Sequence, residues 1–353
     1  MIALEDGVAD TNTLVDTENG IFSIYEKKVK DSNYRNGKGG YGKVSVKRAF
    51  EVSSNVGIVK LIYNNYQKNP NKFIDRLYNI GIHKKLDLPI KGEGTPEIPK
   101  PGDPYWSGIS LPWIAFGYQV SFTPLQILSL YNAIANDGKM VKPRFVEEIR
   151  QHGRTVEDNP VKVINPAICS KETLAKLQDL LKGVVEQGTA TNIQSDLVSM
   201  AGKTGTCQLN YWKQNTYDYQ ASFAGYFPAD NPKYSCIVVI NKPNYHQGYY
   251  GSTVAAPVFK AIAENIYLDT PREWQPEKQN GNPLSLSAKK QLTDLSAVKA
   301  IPDLTGMDGS EVVPALENLG YKLKIEGVGK VQWQYPPAGS KVSTNRVIEL
   351  KMG

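Results

Sequence analysis

Cysteine and histidine are scarce in this sequence of 353 residues, which holds three of each. The cysteines are widely spaced and form no C-x-x-C, so the sequence indicates neither a disulfide framework nor a zinc site. The histidines never fall four residues apart, and each is interpreted as a surface or hydrogen-bonded residue. We therefore expect no metal site and no metal or organic cofactor.

Long apolar runs and dense runs of one charge are also missing. No stretch approaches the ~20 apolar residues needed to span a bilayer. The 41 basic residues exceed the 35 acidic ones and give a net charge of +6, but no Lys/Arg cluster is dense enough to indicate nucleic-acid binding. The hydrophobic content of 41% is sufficient for a core, and the length predicts two domains, or one large and one small.

One short segment, "VSMAGKTGTCQ", resembles part of a phosphate-binding loop. Such a loop requires G-x-x-x-x-G-K-[ST], because the backbone N–H groups of a glycine-rich turn must surround the anion. Gly202, Lys203 and Thr204 supply the end of that pattern, but Leu197 stands where the first glycine belongs. No helix-forming run comes after it, so the segment does not indicate nucleotide binding.

Apolar periodicity predicts helices in the middle of the chain and a sheet after them. Thr123, Pro124 and Gln126 form a predicted capping box at a helix start. A second helix is predicted for residues 171–186. The run "YQASFAGYFPADNPKYSCIVVINKP" has two β-rich segments around a turn and predicts an antiparallel hairpin beside the strand that carries Lys203.

The composition changes after residue 270. Residues 271–299 are polar and interrupted by proline, which is typical of a linker. Residues 300–353 predict a small module with one helix on about three short strands. Pro314 is expected to limit where that helix begins. We therefore predict a main domain over 1–270, a linker over 271–299 and a second domain over 300–353.

Two triplets far apart in the chain carry the chemical signal. Serine acyl-transfer enzymes of the penicillin-recognising fold use S-x-x-K, S-x-N and K-[ST]-G. Ser53-Ser54-Asn55 fits the second motif, and Lys203-Thr204-Gly205 fits the third. The stretches "GYQVSFTPLQILSLYNAIANDGKMVKPRFV", "SFAGYFPADNPKYSCIVVI" and "GSTVAAPVF" occur in the order that this fold requires.

With these motifs, residues 1 to about 270 resemble the transpeptidase domain of a class B penicillin-binding protein of the cell-division type. The terminal module resembles a PASTA domain. The resemblance implies an α/β (α+β) fold, like that of the penicillin-binding transpeptidases and serine β-lactamases. In that fold an antiparallel sheet is flanked by helices and joined to a helical lobe, and the PASTA domain adds a small α+β unit.

The resemblance also implies a role for each matched residue. Ser53 would shuttle protons to the leaving amine, and Asn55 would hold the substrate amide and the base. Lys203 would place a cation beside the substrate's terminal carboxylate.

On the same strand, Thr204 and Thr206 would donate hydroxyl hydrogen bonds to that carboxylate. Gly205 would let a peptide lie against the strand edge. The backbone N–H of Thr206 would be one of two oxyanion-hole donors.

The nucleophilic serine of this family has no counterpart ahead of Ser53, since no S-x-x-K occurs between residues 1 and 50. The two matches in the chain, at Ser287 and Ser296, lie in the predicted linker and are interpreted as chance. "MIALEDG" resembles the segment directly after the nucleophile helix in relatives. We therefore expect a truncated, inactive chain with an exposed apolar groove that favours self-association or reduced stability.

The implied activity of the parent protein is D,D-transpeptidation of peptidoglycan stem peptides in the periplasm, with an anchor in the inner membrane. Stem peptides, β-lactam antibiotics and divisome membrane proteins are the expected partners, and nucleic acid is not expected. A serine β-lactamase shares the motifs, but the linker and the terminal module disfavour it. The alternative is a non-catalytic wall-binding or divisome scaffold protein.

Covalent labelling by a fluorescent penicillin tests the expected inactivity. Acyl transfer needs a nucleophile activated by an adjacent base, and this sequence offers no serine in the required place. We therefore expect no labelled band for this chain after denaturing electrophoresis. Stoichiometric covalent uptake of the penicillin would contradict the truncation hypothesis.

Overall fold

The computed structural model describes residues 1–210, 218–270, 300–341 and 345–353. The predicted linker at 271–299, with Ser287 and Ser296, lies outside the described residues. Within the part of the chain that the structure describes, no helix has both the length and the apolar character needed to cross a bilayer.

Helices dominate the first part of the chain, and two further helices close the main domain, while one helix precedes the strands of the terminal module. Their bounds are α1 Ile2–Glu5, α2 Val46–Glu51, α3 Asn55–Tyr66, α4 Pro70–Ile80, α5 Ser110–Ala115, α6 Pro124–Ala135, α7 Lys171–Glu186, α8 Gly251–Val254, α9 Ala256–Asp269 and α10 Gly309–Asn318. A short 3₁₀ turn comes after α7 at Thr191–Ile193.

The strands are short except for three in the second half of the main domain. Their bounds are β1 Leu14–Asp16, β2 Ile21–Ile24, β3 Lys27–Lys30, β4 Lys43–Ser45, β5 Met140–Val141, β6 Glu148–Gln151, β7 Arg154–Asp158, β8 Val163–Asn165, β9 Ala201–Gln208, β10 Tyr219–Phe227, β11 Tyr234–Asn241, β12 Lys322–Gly327, β13 Val331–Tyr335 and β14 Val347–Met352.

The principal sheet has the strand order β11-β10-β9, and both pairings are antiparallel. β10 and β11 form the predicted hairpin. Lys203 pairs with Ala224, and Thr206 pairs with Ala221. β9 has a strand partner on only one side among the described residues, so the strand with the K-T-G triplet lies at a sheet edge.

Two apolar clusters hold this sheet between helices. On one side α9 packs on β10 and β11 through Phe259, which meets Phe223 and Phe227 in edge-to-face contacts with ring centroids 4.7 Å and 5.7 Å away. The larger cluster includes Tyr226 and the buried faces of α4, α6 and α7. The antiparallel sheet between helices, with a helical lobe, confirms the predicted fold class.

Capping signals fix where the long helices begin. Thr123 accepts from the backbone N–H of Gln126, and the Gln126 side chain accepts from the Thr123 N–H, which confirms the capping box. Ser170 caps α7 by accepting from Thr173. A side-chain cap of this kind stabilises a helix by about 1 kcal/mol.

The terminal module packs α10 on the mixed sheet β12-β14-β13, with β12 parallel and β13 antiparallel to β14. Pro314 lies inside α10 rather than limiting its start, so that expectation was wrong. Its missing N–H removes the bond that would have run to Ser310 O, one turn earlier in the helix. Asn318 donates to Glu5 of α1 at 2.9 Å, a surface contact with the main domain.

The Phe259 cluster yields a stability prediction. Phe259→Ala removes a ring with no exposed surface, and we expect the free energy of unfolding to fall by about 3–5 kcal/mol. Urea denaturation monitored by circular dichroism measures this loss. Val258→Ala is the matched control on the same helix: Val258 is 43% exposed, and its truncation should change stability by less than about 0.5 kcal/mol. Equal losses in the two variants would contradict this assignment of the core.

Candidate active site

The Ser53-Ser54-Asn55 triplet forms the junction between α2 and α3. Ser54 caps α3 by accepting from the backbone N–H of Gly57 at 2.9 Å. Ser53 has a φ of +55°, in the left-handed region that non-glycine residues rarely occupy. The turn places the Ser53 hydroxyl outside the helix.

The Lys203 side chain meets this junction from β9. Its Nζ donates to Ser53 Oγ at 2.9 Å, across 150 residues of sequence. The same ammonium group lies 3.2 Å from Thr204 O and 3.4 Å from Thr204 Oγ1. The structure therefore brings the second and third motifs together at one hydrogen bond, as a shared cleft requires.

Burial controls the charge of Lys203. The pKa of Lys203 is lowered from 10.5 to about 8, because desolvation penalises the ammonium form. The Phe50 ring covers the amine, with its centroid 5.8 Å from Nζ. No carboxylate of the described residues lies within ion-pair distance of Nζ. Lys203 can therefore release and accept a proton near neutral pH.

Asn55 is the first residue of α3, and its side chain bonds away from Lys203. Asn55 Nδ2 donates to Lys30 O at the end of β3, at 2.8 Å. The amide therefore ties α3 to the β2–β3 hairpin in this structure. Its predicted contact with a substrate amide stays a prediction.

The two threonines of β9 have different partners. Thr204 Oγ1 lies 2.9 Å from Thr189 Oγ1, in the segment after α7. Thr206 Oγ1 accepts from the backbone N–H of Gly251 at 3.0 Å. Because that bond uses a lone pair of the Thr206 hydroxyl, its proton remains able to bond a ligand.

Glycine is required where α8 meets β9. A Cβ on Gly205 would lie 2.5 Å from Ser222 Oγ, and a Cβ on Gly251 would lie 2.6 Å from Gly205 O. The Gly251 contact is with backbone and leaves no room for a side chain, whereas the Gly205 contact is with a side-chain hydroxyl of β10. The absence of a side chain at Gly251 lets α8 approach the K-T-G strand closely enough for the Gly251–Thr206 bond.

A row of stacked tyrosines adjoins this strand, and the sequence motifs did not assign it to the site. The Tyr249 ring stacks on Tyr219 with centroids 4.1 Å apart and on Tyr250 at 4.5 Å. Tyr219 pairs with Gln208 at the end of β9, and Tyr250 immediately precedes Gly251. The sequence "QGYYGS", just ahead of the recognised "GSTVAAPVF", was the signal available.

A second residue missed from sequence is Asp31, a buried carboxylate at the end of β3. Its oxygens accept from the Ser54 hydroxyl and from the Val56 N–H, each at 3.0 Å. No motif marks an aspartate so far ahead of the triplet. Among the described residues, no group of three or more Asp, Glu, His or Cys side chains could hold a metal ion.

With this fold and cleft established, the sequence comparisons define the family. The chain matches the penicillin binding protein transpeptidase domain over residues 1–264. It therefore belongs to the penicillin-binding protein transpeptidase family. Residues 299–353 match the PASTA domain. Both matches confirm the predicted resemblance.

Curated relatives place the chain among penicillin-binding proteins. It is 32% identical to penicillin-binding protein PbpB of Mycolicibacterium smegmatis over 253 residues, which cover 68% of this chain and 37% of that protein. It is 27% identical to stage V sporulation protein D of Bacillus subtilis over 327 residues, 89% of this chain and 46% of that protein. The chain thus spans less than half the length of these relatives.

Solved structures agree with the fold. The apo transpeptidase domain of penicillin-binding protein 3 from Burkholderia pseudomallei matches with a TM-score of 0.64 and 25% identity, covering 79% of this chain and 77% of that one. Penicillin-binding protein 3 of Mycobacterium tuberculosis, complexed with aztreonam, matches with a TM-score of 0.64 and 27% identity, covering 80% of this chain and 62% of that one.

The buried amine yields a prediction on pH dependence. We expect Lys203 to titrate with a pKa of about 8, below its unfolded value of 10.5. The unfolded chain then binds more protons between these pH values. The contribution of Lys203 to the free energy of unfolding therefore rises from about pH 8 to pH 10.5 and is lost as the pH falls through about 8.

NMR of chains with ¹³Cε-labelled lysine measures this pKa, and Lys203→Met identifies the resonance by its loss. The reference is the value of about 10.4 at which an unperturbed lysine side chain titrates. A Lys203 resonance that titrates at this reference value would show that water reaches Nζ.

Proposed function

We propose that this chain is the transpeptidase part of a class B penicillin-binding protein that cross-links peptidoglycan stem peptides by serine acyl transfer during septal wall synthesis. The observation that carries the proposal is the 2.9 Å hydrogen bond between Lys203 Nζ and Ser53 Oγ. It joins the S-x-N and K-T-G motifs at the edge of one sheet. Family membership supports the same reaction class.

Ser53 and Lys203 form the proton-transfer pair in this proposal. A lysine with a pKa of about 8 exchanges a proton near the working pH, as general acid–base catalysis requires. Ser53 Oγ then passes the proton toward the leaving amine. Asn55 holds the substrate amide after its side chain turns from Lys30 O.

The edge of β9 is the proposed binding surface for the peptide. An extended peptide adds to an exposed sheet edge through main-chain hydrogen bonds. Thr204 and Thr206 bond the terminal carboxylate through their hydroxyl groups, and Lys203 supplies the opposite charge. Gly205 removes a side chain that would hold the peptide away, and the Thr206 N–H is an oxyanion donor.

The tyrosines beside β9 add an apolar wall to this surface. Tyr219, Tyr249 and Tyr250 stack in one row at the end of the strand. Aromatic rings bind apolar groups with little loss of conformational entropy. We assign them to the part of a stem peptide or β-lactam that lies beyond the terminal carboxylate.

No nucleophile is assigned in this chain, because no S-x-x-K precedes Ser53. We assign residues 1–270 to the transpeptidase domain, residues 271–299 to the linker and residues 300–353 to the PASTA domain. Its site of action is the periplasmic side of the inner membrane, where we propose membrane anchoring and contact with divisome proteins.

Reversible binding of a peptide ending in D-Ala-D-Ala tests the substrate assignment without the nucleophile. At pH 7 Lys203 is mostly protonated, and we expect the peptide to perturb amide resonances of β9 in ¹H–¹⁵N spectra. Lys203→Met should weaken binding by about 10- to 150-fold, the range for losing a hydrogen bond to a charged group of about 1.5–3 kcal/mol.

The matched control is Lys330→Met, which removes an exposed lysine of the terminal module. Its affinity should equal that of the unsubstituted chain. A peptide whose C-terminus is amidated should bind more weakly to the unsubstituted chain but no more weakly to Lys203→Met. If the free-acid and the amidated peptide bind the unsubstituted chain and Lys203→Met with equal affinity, the assignment of Lys203 to the carboxylate is refuted.

A further inference from the structure

Two residues at the end of β3, which belong to neither motif, hydrogen-bond to the Ser-Ser-Asn junction. Asp31, which is 3% exposed, accepts from the Ser54 hydroxyl and the Val56 N–H, each at 3.0 Å. The preceding residue, Lys30, accepts from Asn55 Nδ2 through its backbone oxygen at 2.8 Å. Two consecutive hairpin residues therefore bind three consecutive residues at the start of α3.

The β2–β3 hairpin that carries these contacts is packed firmly against α3. Ile24 and Val29 of the β2–β3 hairpin are buried against Val56 and Val59 of α3 in a separate apolar cluster. The Asp31 N–H donates to Gly20 O at 2.9 Å, which holds the residue at the end of its strand. The Asp31 carboxylate is therefore fixed relative to α3.

Ser53 needs such support because its backbone is strained. A non-glycine residue at a φ of +55° persists only where the surroundings over-determine the conformation. On the α2 side, Ser53 N–H donates to Phe50 O at 3.1 Å and Ser54 N–H donates to Ala49 O at 2.8 Å. On the α3 side, Ser54 Oγ accepts from Gly57 N–H at 2.9 Å and donates to the Asp31 carboxylate at 3.0 Å, so Asp31 adds a second tie to Ser54.

The hydrogen-bond donors and the helix start around Asp31 favour a negatively charged side chain at this position. Asp31 forms no ion pair with any of the described residues. Burial raises the pKa of Asp31, while the hydrogen bonds from Val56 N–H and the Ser54 hydroxyl oppose that rise. The N-terminus of α3 adds a favourable dipole, so a negative charge is stabilised at this helix start.

We propose that Asp31 is a positioning residue for the Ser53–Lys203 pair: by clamping Ser54 and the first N–H groups of α3, it holds Ser53 Oγ at hydrogen-bond distance from Lys203 Nζ. This inference rests on the proposed function of that pair. Asp31 touches neither the reacting atoms nor Lys203. Its effect passes through the strained Ser53 turn, whose hydroxyl accepts from the Lys203 amine.

The test compares three variants by the pKa of Lys203, measured with ¹³Cε-labelled lysine. Asp31→Ala removes the clamp, and we expect the pKa of Lys203 to rise by about one unit, a tenfold change in proton affinity, because water gains access to Nζ. Asp31→Asn keeps an acceptor for Val56 and a partner for Ser54, and should leave the pKa unchanged.

Thr123→Ala is the control for general destabilisation, since it removes the cap of α6 but touches no residue of the site. Its Lys203 pKa should equal that of the unsubstituted chain even where its melting temperature falls. An Asp31→Ala chain that is folded by circular dichroism and keeps the unsubstituted pKa of Lys203 would overturn the proposal.

If Asp31→Ala does not fold, Asp31→Ser decides. The shorter side chain withdraws the carboxylate from the Ser54 hydroxyl but leaves the Ser54 cap on Gly57 N–H in place. A raised Lys203 pKa then supports the clamp, whereas an unchanged value overturns it. Failure of the proposed function has a different signature. In that case the unsubstituted chain itself shows Lys203 titrating like an unperturbed lysine and no Lys203-dependent binding of the D-Ala-D-Ala peptide.

Discussion

Burial of the Lys203 amine without a carboxylate partner among the described residues is the constraint on which the cleft depends. A buried cation is costly unless it is hydrogen-bonded or loses its proton. Here Ser53 Oγ and Thr204 O take up its N–H groups, and burial lowers the pKa to about 8. The same desolvation that lowers its pKa makes the half-buried Lys203 a usable acid–base group.

The burial of the Lys203 amine requires several segments that are distant in sequence to keep fixed positions relative to one another. The segment after α7 ties α2 to β9, since Thr189 N–H donates to Glu51 O at 3.0 Å while Thr189 Oγ1 contacts Thr204. Arg48 donates to Gln187 O at 2.8 Å. The sheet fixes one side of the cleft and this segment fixes the α2–α3 junction against it. The family match over residues 1–264 agrees with this arrangement.

Local chemistry made much of the fold predictable. The bounds of α7, the capping box at Thr123 and the β10–β11 hairpin follow from periodicity, caps and turn residues, which act over a few neighbouring positions. Pro314 was expected to limit where the terminal helix begins, but it lies inside α10, where burial of the helix against the sheet outweighs one lost hydrogen bond.

The two triplets identified Ser53 and Lys203 as site residues, because residue type and spacing in the sequence indicate their side-chain chemistry. Their contact, the burial that shifts the pKa of Lys203, and the recruitment of Asp31 and Tyr249 depend on residues brought close from many positions away. No local pattern encodes such distances, because each is set by how strands pair and helices pack. Side-chain identity defined the possible chemistry, and tertiary packing decided which groups meet and in what state of charge.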